Sequence, residues 1–209
     1  MYERRGDLGP MSVEEYLSFD DISLARHEYV AGRVYAMSVP TARHNRIVAN
    51  IHSRLRASTK YTEYDAYFIE LKVRASLDHI YYPDAVVLSN GYESDALIAD
   101  EPLLVVEVTS PSTRRVDHTE KLDAYRGIPS LRAYLIAEQR RRHVTLYSRE
   151  AGGEWFCEVI IGSGRVPLPC INATLTVDEV YETVEFPPRV RENVADDDAW
   201  AGEDELKLY

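Results

Sequence analysis

The chain has 209 residues, of which 45% are hydrophobic and 28% charged, and a formal net charge of −11; that length supports one domain with a real core and modest extensions. No apolar run approaches the roughly 20 residues needed to span a bilayer, and the start, MYERRGDLGP, is too polar for a signal peptide, so a cytoplasmic, non-membrane protein is expected. Residues 182–209 carry −6 and the remainder still carries −5, which argues against a simple basic nucleic-acid-binding domain, whose pI would exceed about 9.

In chain order, residues 1–10 read as a flexible arm, and Ser12-Val13-Glu14-Glu15 as a capping box opening a short helix to about Phe19. His27 to Met37 alternates around Ala31-Gly32, which predicts two short extended pieces joined at the glycine. Glu28 lies at the front of the first, where spacing alone leaves it either a polar residue facing water or a site residue. From Thr41 to Ser58, Ile47, Val48, Ile51 and Leu55 recur at helical spacing, predicting an amphipathic helix. Arg43, Arg46, Arg54 and Arg56 decorate its other face, either solvated or touching phosphates, and His44 near its start reads as a cap or packing residue. Tyr64 to Arg74 (YDAYFIELKVR) reads as a single strand with Glu70 and Lys72 as a surface pair.

The chemistry concentrates between Tyr81 and Tyr125. Leu103 to Val108 (LLVVEV) is apolar on both alternating faces, the mark of a central strand covered on each side. Glu107 interrupts it, and a carboxylate held there alone would cost several kcal/mol, so it must be protonated, paired or metal-bound. Asp84, after Pro83 and before Ala-Val-Val-Leu, heads a second strand. Two carboxylates about 4 Å apart repel by roughly 4 kcal/mol at an effective dielectric near 20, and a divalent cation between them reverses the sign. Oxygen ligands favour Mg²⁺ or Mn²⁺ over zinc.

Thr109 to Thr113 then reads as a turn, with Ser112 or Thr113 capping a helix through about Tyr125. Asp117, Lys121 and Tyr125 are spaced by four and share a face of it. Lys121 either points back at the carboxylates or is a solvated partner of Asp117. Further on, LRAYLIA, the stretch after Arg140-Arg141-Arg142, and Trp155 to Ile161 predict a three-stranded meander. Val177 to Val184 reads as a closing helix capped by Thr176. Residues 185–209 read as an acidic, disordered tail or docking segment. Cys157 and Cys170 match no metal spacing and read as reduced core residues.

The segments HEYVAGRVYAM, Arg43-His44-Asn45-Arg46-Ile47-Val48, YYPDAVVL and VVEVTSPSTRRVDHTEKLDAYRGIPSLRAYLI resemble the PD-(D/E)XK nuclease superfamily, and within it the Uma-type restriction endonuclease family. The resemblance covers residues 11–184 and implies a restriction-endonuclease-like α/β fold: a mixed central sheet flanked by helices, extended by a C-terminal β-meander. It implies Mg²⁺- or Mn²⁺-dependent hydrolysis of nucleic-acid phosphodiester bonds, with DNA preferred over RNA. Asp84 and Glu107 would hold the metal, Glu28 would complete the acidic set, and Lys121 would serve catalysis. Thr109 stands where the simplest superfamily pattern has lysine, and the family resemblance moves that lysine to Lys121. Superfamily members often work as dimers, so a homodimer is a further expectation. Two other readings keep the fold: a catalytically inactive adaptor binding a protein partner through the acidic tail, and a hydrolase of small phosphoesters.

Overall fold

The computed structural model describes residues 6–68, 70–89, 95–150 and 152–186. The chain opens with strand β1 (Asp7–Pro10) and helix α1 (Val13–Ile22). The expected flexible arm is therefore partly a strand, pairing with residues 33–35; residues 1–5 lie outside the described residues. Ser12 caps α1 in the expected capping box, its hydroxyl accepting from the Glu15 N–H while the Glu15 carboxylate accepts from the Ser12 N–H. β2 (His27–Val30) and β3 (Arg33–Ala36) form a hairpin. Ala31 and Gly32 both take positive φ, 48° and 82°, the pattern of the tight turns whose twist matches that of the strands they join.

Helix α2 (Ala42–Thr59) buries Ile47, Val48, Ile51 and Leu55 as the spacing predicts. Its basic face serves the fold: Arg54 meets Glu179 and Glu182, Arg56 meets Asp65, and Arg43 donates to the Glu185 carbonyl. The run 64–74 is not one strand. It splits into β4 (Tyr64–Phe68) and β5 (Lys72–Ser76), which belong to different sheets. Glu70 between them sits at a φ of 73°, a left-handed conformation foreign to strand interiors. Lys72, expected in a surface pair, is instead buried with its ammonium 2.9 Å from Asp20.

Next come β6 (His79–Tyr81), β7 (Ala85–Ser89), β8 (Ile98–Ala99) and β9 (Leu104–Thr109). The single helix predicted after β9 is two, α3 (Arg114–His118) and α4 (Glu120–Arg126). Thr119 separates them at φ −126°, ψ −82°, and Thr113 makes no side-chain capping bond because it is already helical. β10 (Ala133–Glu138), β11 (His143–Arg149) and β12 (Trp155–Ile161) form the expected meander. In the arginine turn, Arg141 pairs with Glu138 and Arg142 with Asp178. A hairpin the sequence pattern does not reveal, β13 (Arg165–Leu168) and β14 (Ala173–Thr176), precedes α5 (Val177–Val180). Thr176 caps α5 as expected, and the helix stops at Val180, short of Val184. No disulfide joins the cysteines, and Cys157 is exposed on β12, outside the core. The acidic run 187–209 lies outside the described residues.

The central sheet has the order β12-β11-β10-β9-β7-β4. Its β9–β10 pair is parallel and its other pairs are antiparallel. A parallel pair needs a crossover, which α3 and α4 supply. One face of this sheet packs on α2, α5 and the β13–β14 hairpin, with Ile51, Leu104, Leu135, Val166 and Val177 in one cluster. The other face meets α4 and a second sheet of order β1-β3-β2-β6-β5-β8, through Val30, Val73, Val105, Leu122 and Tyr125. Covering both faces is what lets β9 carry apolar residues on both alternations; all six of its positions are buried. This is a restriction-endonuclease-like α/β fold. Among the described residues no helix is long and apolar enough to cross a membrane.

Candidate active site

Glu107 lies inside β9 and is only 5% exposed. Asp84 immediately precedes β7, and β7 runs antiparallel to β9 with Ala85 opposite Val106. The ladder ends at that pair, and Asp84, at a bend just outside β7, lies beside the Val106–Val108 segment of β9, next to Glu107. Side chains alternate along a strand. Glu107 therefore shares the parity of Val105 and faces the second sheet, while Asp84, at the end of the sheet, lines the same cleft. Asp84 is fixed from two directions: its Oδ2 accepts the Val108 N–H at 2.6 Å, and its Oδ1 lies 3.1 Å from His44 Nε2. The Asp84 N–H in turn donates to the Val106 carbonyl at 3.0 Å.

The other acid comes from the second sheet. Glu28 on β2 is 6% exposed and shares the parity of Val30, which faces the central sheet. Lys121, on α4, joins the two layers: its Nζ lies 2.8 Å from Glu28 Oε1 and 2.9 Å from Glu107 Oε1. The lysine therefore reaches the acids, and Asp117, the alternative partner, is present as well at 3.6 Å. Tyr125 donates its hydroxyl to Glu107 Oε1 at 3.1 Å. The shared face of Asp117, Lys121 and Tyr125 thus survives the break at Thr119 and points inward.

Burial drives the electrostatics. Desolvation pushes the Glu107 carboxyl well above the usual carboxylate range, opposed by the Lys121 charge and reinforced by Asp117, Asp84 and Glu28. Asp117 is raised for the same first reason, with Lys121 and the Thr109 and Thr113 hydroxyls pulling it back. Burial alone would strip the proton from Lys121, but Glu107, Glu28 and Asp117 together hold it well above the ordinary lysine value. His44 is raised as well: desolvation works against its charge, and the bond to Asp84 overcomes it.

These groups line one cleft of about 430 Å³, with Arg26, Glu28, His44, Asp84, Glu107, Asp117 and Lys121 in its walls and the segment 36–41 along one side. Four carboxyl groups there face Lys121, Arg26 and His44, so the walls hold more acids than bases. All-oxygen donors suit a hard divalent ion, Mg²⁺ or Mn²⁺. Among the described residues no three acidic, histidine or cysteine side chains already converge as a coordination set; Lys121 stands between Glu28 and Glu107. The carboxylates supply the oxygen donors such an ion takes, with the ammonium among them in this arrangement.

All four residues named from the sequence, Glu28, Asp84, Glu107 and Lys121, therefore line the same cleft. Three more were missed as site residues. His44 sits in the first turn of α2, and a histidine beside a basic helical face gives no hint that it reaches a strand 40 residues on. Asp117 and Tyr125 did leave a signal, their spacing of four from Lys121.

The Uma2 family model, described as "Putative restriction endonuclease", matches residues 13–177. "Uncharacterized protein slr1290" of Synechocystis sp. is 27% identical over 178 residues, 84% of this chain and 94% of that protein. "Uncharacterized protein sll1609" of the same organism is 24% identical over 156 residues, 73% of this chain and 88% of that protein. Among solved structures, "a putative nuclease belonging to DUF820 from Anabaena variabilis" superposes with a TM-score of 0.69 at 19% identity, covering 82% of this chain and 98% of that one. With the match spanning the fold from α1 to the start of α5, the chain belongs to the Uma2 family.

Proposed function

We propose that this chain is a nuclease that hydrolyses phosphodiester bonds of nucleic acid, DNA before RNA, with Mg²⁺ or Mn²⁺ bound at the cleft. The observation that carries the reading is Asp84 and Glu107 in the wall of one cleft, with the Lys121 ammonium 2.9 Å from Glu107. Asp84 and Glu107 are the metal-holding pair, and Glu28 adds a ligand or orients a water. A divalent cation there would supply Lewis-acid polarisation of the phosphate and a more acidic water. The chain's own groups do the rest. Lys121 stays charged in the cleft and offers N–H donors to the oxygens on which negative charge grows. Arg26 lines the mouth and presents a guanidinium suited to a phosphate oxygen.

The test is cleavage of plasmid and of short duplex and single-stranded DNA and RNA by purified protein with Mg²⁺ or Mn²⁺. Loss of metal-dependent cleavage in Asp84→Ala and Glu107→Ala is expected; cleavage unchanged in either variant overturns the assignment. The adaptor reading is favoured by one observation, that Arg54, Arg56 and Arg142 face acids of the chain itself, on a protein of net charge −11. Calorimetric titration separates the two, because the adaptor has no need of Mn²⁺ and the nuclease does.

A further inference from the structure

Lys121 stands in the place a cation would need. Its ammonium lies within 2.9 Å of one oxygen each of Glu28 and Glu107. Divalent ions of this class bind carboxylate oxygens at about 2.0–2.1 Å, and two cations cannot share one carboxylate oxygen from the same side without strong repulsion. The lysine must therefore have somewhere to go. Asp117 is the group within reach, with Oδ1 3.6 Å from Nζ, too far for a hydrogen bond and close enough that a shift of less than 1 Å would make one.

We infer that Asp117 is a positioning residue that receives the Lys121 ammonium when a divalent cation takes Glu107 together with Asp84 and Glu28, keeping the lysine charged and beside the reacting phosphate. Three observations support it. Asp117 is 2% exposed, so its carboxylate is poorly hydrated and gains from a cationic partner. The Thr109 and Thr113 hydroxyls, 3.3 Å from each other, favour its charged form. The two residues sit on separate short helices, α3 and α4, with the non-helical Thr119 between them, so the lysine's helix is not locked rigidly to the acid's. The chemistry is an exchange of partners, with no covalent step.

This rests on the metal-dependent reading above, and Mn²⁺ affinity measured by calorimetry tests it without reference to cleavage. Four proteins form a double-mutant cycle: wild type, Lys121→Met, Asp117→Asn and the double variant, each checked for its fold by circular dichroism. Asp117→Asn should weaken Mn²⁺ binding about 5-fold to 20-fold when Lys121 is present and less than 2-fold in the Lys121→Met background, the coupling of linked sites. Thr113→Val, which removes a hydroxyl that favours the charged Asp117, should weaken binding in the same lysine-dependent way and serves if Asp117→Asn does not fold. Equal weakening in both backgrounds means that Asp117 acts only through its field, and overturns the inference while leaving the metal site standing. No Mn²⁺ uptake by any of the proteins overturns the metal reading itself, and the inference with it.

Discussion

Replacing Tyr125 by phenylalanine should destabilise the protein by about 1.5 kcal/mol at neutral pH and less in acid. The hydroxyl makes one hydrogen bond, to Glu107 Oε1 at 3.1 Å, on a side chain that is 0% exposed. Bonds to charged groups are worth about 1.5–3 kcal/mol. The lower end applies here because Glu107 Oε1 keeps its contact with Lys121 at 2.9 Å and is not left unpartnered. For a protein of this size that is a fall of roughly 3–6 °C in Tm. Since burial holds the Glu107 carboxyl well above the usual carboxylate range, lowering the pH protonates it early and turns the charged bond into a neutral one. The difference between wild type and variant should shrink accordingly. Thermal melts followed by circular dichroism between pH 5 and 9 read both effects. An unchanged Tm at pH 8, or a gap that widens on acidification, refutes the argument that this hydroxyl supports an ionised Glu107.

Burial and the neighbouring Arg114 push the His118 imidazole down to about 4, below the unfolded value of about 6.5. Stability is then lost as pH falls from about 6.5 to 4, and His118→Gln should flatten that stretch by roughly 2–3 kcal/mol in urea titrations. Burial raises the Glu138 carboxyl, but the bonds to His143 and Arg141 and the charge of Arg114 win and hold it at about 2. Its contribution is present above the unfolded value of about 4.3 and lost as pH falls toward 2. Glu138→Gln should cost roughly 2 kcal/mol at pH 7, a deficit that vanishes at the acid end; a constant deficit across pH rules out the ionic origin. His44→Ala frees Asp84 Oδ1 from its 3.1 Å contact and should reduce Mn²⁺ affinity by about 10-fold to 100-fold, as loss of a ligand-orienting partner does; calorimetry showing wild-type affinity removes His44 from the site.

What the sequence makes legible is whatever depends on neighbours along the chain. The doubly apolar LLVVEV run announces a central strand, and a carboxylate inside it announces a site, because both follow from local pattern and the cost of burying charge. Position of Asp84 before AVVL sets its end of the sheet in the same way. The direction of Lys121 is not legible. Spacing of four offers Asp117 as a partner, and only the packing of α4 against two sheets shows that Glu107 and Glu28 are nearer. Glu28 looks like a surface residue because β2 is four residues long, and its burial comes from a second sheet of short strands with no long periodic signature. Lys72 misleads for the same reason: alternation in YDAYFIELKVR is real on each side of Glu70, but the left-handed backbone there sends the two halves to different layers.

The acids of the cleft come from different layers, Asp84 and Glu107 from the central sheet and Glu28 from its companion, with one lysine bridging them. A half-made chain, or one nicked so that the layers part, owns the carboxylates but not the cleft. The cleft therefore takes shape only in the completed molecule and is lost as soon as the two layers part.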